Sequence, residues 1–140
     1  KKIMHEKEMT GYHLSLFFFL LFVFHLPFFI GSSWNIIKEL DILAIYFLFV
    51  VVWDYLWFVV NPHFTIRNFK SGYPFWHKKW FAGLPIDYWF CGFISLSLAI
   101  IMSVFFDRNY IFRWIIMFFT FVILIAVTKL IIKKFKPAWE

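Results

Sequence analysis

Cysteine is nearly absent from this chain of 140 residues, since Cys91 is the only one. A single thiol excludes a disulfide framework, and it excludes zinc or iron–sulfur sites that need several cysteines. Charged residues are also scarce, at 16% of the sequence, whereas soluble proteins have about 25%. The sequence contains no phosphate-binding loop, dinucleotide fingerprint or nucleophile elbow. These absences leave no familiar catalytic signature.

Apolar and aromatic residues are present in excess. They make up 63% and 26% of the chain, and phenylalanine alone occupies 23 positions. A soluble domain of this length has too little interior to bury so much apolar surface. A disordered chain would be poor in aromatic residues and rich in charge. The composition therefore predicts an integral membrane protein.

Four largely apolar runs each have the length needed to cross a bilayer core, which takes about 20 helical residues. They cover residues 12–30, 42–60, 88–106 and 110–132. Spanning β-strands alternate apolar and polar residues, whereas these runs are apolar on all sides, so helices with internal backbone bonding are predicted. We expect an all-α, four-helix transmembrane bundle that forms a single domain over residues 1–140. An amphipathic interfacial segment, residues 61–87, joins the second and third helices.

Lysine and arginine are distributed unevenly between the two ends of such a bundle. Of the 14 basic residues, all but Lys38, Arg108 and Arg113 fall on the side that carries both chain ends and residues 61–87. Because Lys and Arg concentrate on the cytoplasmic side of membranes, both termini are predicted to be cytoplasmic, in a membrane of the bacterial inner-membrane type. The formal net charge of +6 then reports topology, and no nucleic-acid partner is expected.

The loop of residues 61–87 is long and mixes aromatic with basic side chains. Loops of this length without their own structure are uncommon and tend to be functional or interfacial. We expect this one to contact membrane lipids, with rings at the acyl boundary and cations near the phosphates. It is either a simple anchor or a cover over a site at the inner leaflet. In the second case an anionic headgroup or a cofactor would be held by Arg67, Lys78, Lys79, Trp76 and Trp80.

Asp54 is the only charged residue in the second run, about two turns from its inner end. A carboxylate in a span costs a few kcal/mol at the bilayer centre and normally faces water or a partner. Its neighbours Trp53 and Tyr55 could donate hydrogen bonds to it in a purely structural role. Alternatively, Asp54 is catalytic together with His63 and His77, which lie on the adjoining loop.

Potential metal ligands collect on the predicted inner side, where His13, Asp54, His63 and His77 lie. Histidines with one carboxylate are typical ligands of zinc or non-haem iron. A single haem could be held by His13 together with His63 or His77. None of these residues has the spacing of a local metal motif, so the ligands would have to converge from separate segments. A metal ion, a haem and the absence of any cofactor all remain open.

A row of small residues, Gly92, Ser95, Ala99 and Ser103, follows one face of the third run. Small residues let helices approach closely, so the row predicts a packing seam, either within the bundle or with another chain. With the aromatic spans and the lack of catalytic spacing, it favours a subunit that packs against a larger membrane complex or against itself. The alternative is a membrane-interface enzyme or redox module that acts on a lipid-soluble substrate, with Asp54 and the inner histidines as ligands or proton carriers.

Overall fold

The computed structural model describes residues 11–64, 66–70 and 77–136, and for residues 11–13 and 67 it describes the backbone alone. Its long elements are four α-helices, namely α1 (Gly11–Phe29), α2 (Ile36–Val60), α3 (Ile86–Phe105) and α4 (Asn109–Phe135). A short 3₁₀ helix, Ile66–Asn68, and an antiparallel hairpin of β1 (Trp80–Phe81) and β2 (Leu84–Pro85) lie between α2 and α3. The helical prediction is confirmed, and the hairpin is an addition to the all-α prediction.

Three of the helices, α2, α3 and α4, are long and apolar enough to cross a membrane. The part of α1 whose side chains are described, Leu14–Phe29, is a shorter apolar helix. A helical integral membrane protein is therefore supported by three candidate spans, and α1 stays a predicted fourth. Residues 1–10 and 137–140 lie outside the described residues, and the side on which the termini lie stays a prediction.

The second helix begins well before the apolar run does, at Ile36 rather than at residue 42. The Asn35 side chain accepts a hydrogen bond from the Lys38 backbone N–H at 2.9 Å. This bond caps one of the donors that every helix N-terminus leaves unpaired. The length of a helix whose first turns carry charges is therefore underestimated when it is judged from its apolar run alone.

Two ion pairs connect these first turns of α2 to neighbouring helices. Glu39 Oε1 lies 2.9 Å from His25 Nε2 of α1. Asp41 Oδ2 lies 2.7 Å from Arg113 Nη2 of α4. Because ionisable groups in spanning segments normally pair with one another, these contacts explain how α2 keeps charged residues in its first turns.

The core lies along the face of α2 that meets α3 and α4. Ala44, Leu48 and Val52 of α2 are buried and recur every four residues, which places them on one face. Ala99 and Met102 of α3 are each 1% exposed against that face. The short turn at residues 106–108 reverses the chain, so α4 runs antiparallel to α3. No residue of α4 is buried.

Ser95 connects all three packed helices by hydrogen bonds. Its hydroxyl donates to the Ala44 carbonyl oxygen of α2 at 2.6 Å and accepts from Trp114 Nε1 of α4 at 2.7 Å. Ser95 is fully buried, and Ala99 one turn later is almost so. At these two positions the predicted small-residue row is a seam within the bundle. The buried hydroxyl is paired on both sides, as an apolar environment requires.

Candidate functional site

Two residues that the sequence singles out, Asp54 and His77, are in direct contact. His77 Nε2 lies 3.0 Å from Asp54 Oδ2, and His77 Nδ1 lies 3.4 Å from Asp87 Oδ2. Tyr88 donates its hydroxyl proton to the same Asp54 oxygen at 2.5 Å. The four side chains form one hydrogen-bonded chain in the order Asp87, His77, Asp54 and Tyr88. We refer to these four residues as the His77 cluster.

Helix geometry brings the members of the His77 cluster together. Asp54 lies near the end of α2, while Asp87 and Tyr88 lie in the first turn of α3. Because α2 and α3 are antiparallel neighbours, the end of one helix lies beside the start of the other. His77 lies on the connecting loop, which carries its ring into the space between these two helix ends.

The hairpin holds His77 from the loop side. Trp80 Nε1 donates to the His77 carbonyl oxygen at 2.9 Å. The two residues of the turn, Ala82 and Gly83, have positive φ angles of 46° and 80°, as a two-residue hairpin turn of type I′ requires. A non-glycine residue in this conformation costs about 1 kcal/mol. The hairpin adopts this tight turn despite the cost at Ala82, and Trp80 of the hairpin in turn fixes the position of His77.

Aromatic rings surround His77. Its side chain is only 6% exposed. The His77 ring centre lies 5.5 Å from that of Tyr88 and 6.1 Å from that of Trp80, and both rings are nearly perpendicular to it. Phe58 contributes a third ring, at 6.4 Å. These rings displace water, and hydrogen bonds are electrostatically stronger in such a low-dielectric environment.

Exposure changes sharply along the cluster. The Asp87 side chain is 66% exposed, whereas that of His77 is 6% exposed. Asp54 is intermediate at 38%, and Tyr88 is 7% exposed as a residue. The hydrogen-bonded chain therefore begins at an open carboxylate, passes through a buried ring and ends at a buried phenol.

The two carboxylates restrict where the protons of the cluster can be. A neutral imidazole has a single N–H and can donate to one acceptor only. Both ring nitrogens of His77 face a carboxylate, so both hydrogen bonds form only if the ring is protonated or if one carboxylic acid supplies the second proton. A proton can shift between the ring and Asp54 across 3.0 Å with no large movement of the side chains, whereas the 3.4 Å contact with Asp87 has to shorten before a proton can shift there.

Only some of the predicted metal ligands have side chains that the structure describes. No three His, Cys, Asp or Glu side chains converge on a metal site in the part of the chain that the structure describes. His63 is exposed beyond the end of α2, where its backbone N–H donates to Asn61 Oδ1 at 2.8 Å. The side chain of His13 lies outside the described residues. Of the predicted set, the structure brings together Asp54 and His77.

Five residues were predicted to bind a headgroup or a cofactor. Those whose side chains the structure describes lie next to the His77 cluster. Lys78 and Lys79 follow His77 directly and are exposed. Trp80 packs against the His77 ring and donates a hydrogen bond to the His77 carbonyl oxygen. Trp80 therefore lines the site. The side chains of the other two residues are not described, since Trp76 lies outside the described residues and only the backbone of Arg67 is described.

The hydrogen bonds to Asp54 do not come from its sequence neighbours Trp53 and Tyr55, which were the predicted donors. Trp53 is 43% exposed, and the Tyr55 ring packs against Phe69 at 5.1 Å. Adjacent residues on a helix point about 100° apart, so neither neighbour is well placed to bond Asp54. The donor that the sequence did not single out is Tyr88, which lies in the first turn of α3. Its position there, beside the end of α2, is the signal that could have identified it.

No protein-family model, curated protein sequence or solved structure gives a significant match to this chain. The class of the protein, a helical integral membrane protein, rests on its three candidate spans.

Proposed function

We propose that this membrane protein transfers protons between the cytoplasmic face and a lipid-soluble molecule at the inner edge of the bilayer. The His77 cluster is the path. The observation that carries the proposal is the position of the His77 ring, which has a carboxylate on each nitrogen. Histidine is the side chain best suited to gain and lose a proton near neutral pH. Carboxylates embedded in spans are characteristic of proton relays.

The differences in exposure give this path a direction. Asp87 is open and exchanges protons with water. His77 accepts a proton at Nδ1 and releases the proton at Nε2 to Asp54, which leaves the ring in its other tautomer. The ring then returns to its first tautomer by turning over before it passes the next proton. The Tyr88 hydroxyl donates to the same Asp54 oxygen, so it stabilises the Asp54 carboxylate at the inner end of the path. Each step moves one proton and requires no other reactant.

Infrared difference spectroscopy after a pH jump tests the path in reconstituted vesicles. The carboxylic C=O band that is lost in Asp54→Asn reports the protonation of Asp54. In His77→Gln this band should follow the jump about 100-fold more slowly, because the intermediate acid–base group is gone. His63→Gln is the matched control and should follow at the wild-type rate. A band that responds equally fast in His77→Gln would show direct exchange with water and would refute the path.

The outer surface of the hairpin favours contact with lipid headgroups as part of this function. Phe81 is 66% exposed and Trp89 is 46% exposed, and Trp89 Nε1 donates to the Phe81 carbonyl oxygen at 2.9 Å. Lys78 and Lys79 are exposed next to them. Aromatic residues and lysines together are typical of segments that lie at a membrane interface. We propose that this surface holds the His77 cluster at the depth where water and lipid meet.

A second function is favoured by a separate observation, the apolar surface of α4. This candidate span has no buried residue. In a bilayer such a surface faces lipid or packs against another transmembrane segment. We propose that it packs against a second copy or another subunit of a membrane complex. Native mass spectrometry from lipid nanodiscs tests this, since a stable assembly is expected and a strictly monomeric chain would contradict it.

A further inference from the structure

An apolar cleft adjoins the His77 cluster on the side of α4. Its volume is about 220 Å³, and it lies between α2, α3 and α4. Its walls include Val52 and Tyr55 of α2, Tyr88 of α3, and Phe118 and Ile125 of α4. Tyr88 therefore belongs to both features, because its ring lines the cleft while its hydroxyl bonds Asp54.

The cleft is elongated parallel to the helices. Its lining extends from Leu48 to Tyr55 on α2 and from Phe118 to Ile125 on α4. Each stretch advances about 10 Å along a helix axis. Apolar cavities of about 150 Å³ hold one benzene molecule, so this cleft has space for part of a single hydrocarbon chain. Its size and its direction both match a chain that lies parallel to the acyl chains of the bilayer.

A basic residue, Lys129, lies about one helical turn along α4 from the last residue that lines the cleft, towards the predicted cytoplasmic side. Lys129 follows Ile125 by four residues, so both lie on the same face of α4. Lys129 is exposed, and it is about one turn beyond the last residue of α4 that lines the cleft. Leu84 of the hairpin lines the same cleft, which places this end beside the interfacial segment. A ligand with an anionic head and an apolar tail complements this arrangement of charge and apolar surface.

We infer that the cleft binds the hydrocarbon chain of a single-chain anionic amphiphile of the fatty-acid type, with its acidic head at Lys129. This inference deepens the proposed function, because it names the class of lipid-soluble molecule that exchanges a proton with the His77 cluster. A carboxylic acid head can release a proton or accept one, and the shared Tyr88 links its binding site to the cluster. The binding itself does not depend on proton transfer.

Photolabelling in phosphatidylcholine nanodiscs tests the binding, with palmitic acid that carries a diazirine on its chain as the probe. Cross-links mapped by mass spectrometry should concentrate on the residues that line the cleft. Val122→Trp, which fills the cleft, should reduce this labelling about tenfold. Val127→Trp is the matched control, because both valines are 45% exposed and only Val122 lines the cleft. The two positions point about 140° apart on α4.

The charge of the ligand is tested with a second pair of variants. Lys129→Gln should reduce palmitate labelling several-fold while leaving unchanged the labelling by a hexadecanol probe, which has the same chain without a charge. Lys134→Gln is the control, since Lys134 lies on the opposite face of α4 from Ile125. Equal losses in Lys129→Gln and Lys134→Gln would overturn the assignment of the head to Lys129.

Competition provides a test that does not depend on the folding of a variant. Excess unlabelled palmitate should displace the probe from the cleft and leave the labelling around Val127 unchanged. Equal labelling of both faces, or labelling that does not saturate, would identify the probe as bulk lipid and overturn the inference. Palmitate could bind in the cleft as expected while the Asp54 C=O band responds to the pH jump at the same rate in His77→Gln as in the wild type. That combination would refute the proposed function and leave the binding site supported.

Discussion

His77 Nε2 and Asp54 Oδ2 lie 3.0 Å apart, although 23 positions separate the two residues in the sequence. The other ring nitrogen of His77 faces Asp87, which lies in the first turn of the next helix. One side chain of the loop thus bridges carboxylates of two antiparallel helices. The same contacts that close the loop onto the bundle also define the proposed proton path.

Removal of the His77 ring should destabilise the protein as well as interrupt the path. His77→Ala leaves Asp54 with one fewer partner at a site closed off by aromatic rings. Hydrogen bonds to charged groups contribute about 2 kcal/mol, so we expect a loss of about that size in the free energy of unfolding. Denaturation in detergent micelles measures it. His63→Ala, at an exposed position, should change stability by less than about 0.5 kcal/mol; equal losses in the two variants would contradict the structure.

Ser95 should be sensitive both to removal of its hydroxyl and to added volume. Ser95→Ala leaves Trp114 Nε1 without its partner and should cost about 1 kcal/mol, as for other hydrogen bonds between helices in membranes. Ser95→Leu should cost more, because the site is fully buried between helices. Thermal unfolding in detergent measures both, with Ser97→Ala as the control, because Ser97 lies on the same helix and is only partly buried. Tolerance of leucine at this position would show that the three helices do not pack as described.

The turn of the hairpin should respond in opposite ways to two exchanges of glycine and alanine. Gly83→Ala should cost about 1 kcal/mol, because it places a side chain at positive φ. An added Cβ at Gly83 meets nothing within 4 Å, so the loss would come from the backbone alone. Ala82→Gly relieves the same strain and should not destabilise the protein. Equal destabilisation by both substitutions in thermal unfolding would argue against this turn.

The ion pair between Asp41 and Arg113 should show strong coupling in a double-mutant cycle. Arg113→Leu leaves the Asp41 side chain, which is 18% exposed, without its counter-ion. Removal of one partner of a buried pair destabilises a protein by about 3 kcal/mol, and the exposure of Arg113 reduces this to about 1–2 kcal/mol here. The double variant Asp41→Leu with Arg113→Leu should recover most of the loss. Additive losses from the two single variants would show that the residues act independently.

Much of the fold could be predicted because membrane helices need long apolar runs. The bounds of α3 and α4 lie within a few residues of the predicted runs. The start of α2 could not be predicted in this way, because Glu39 and Asp41 depend on partners from other helices. The hairpin could not be predicted either, because its tight turn places Ala82 at positive φ, and alanine is not a usual turn signal.

The site was predicted only in part. Asp54 and His77 could be singled out from the sequence, because a carboxylate in a span is unusual and because His77 is one of the histidines on the predicted inner side. Their contact could not be predicted, because it depends on how the loop folds back onto α2. Tyr88 is one of many aromatic residues in the chain, and its role follows only from the packing of α3 against α2.

Solid-state NMR in lipid bilayers, on protein with isotope-labelled histidine and aspartate, measures the central contact most directly. We predict a through-space correlation between His77 Nε2 and the Asp54 carboxyl carbon, with both ring nitrogens of His77 hydrogen-bonded. The correlation should persist in Asp41→Asn, where the His77 cluster is untouched. A His77 ring that shows no correlation to Asp54 and exchanges protons with water as freely as the exposed His63 would contradict the account.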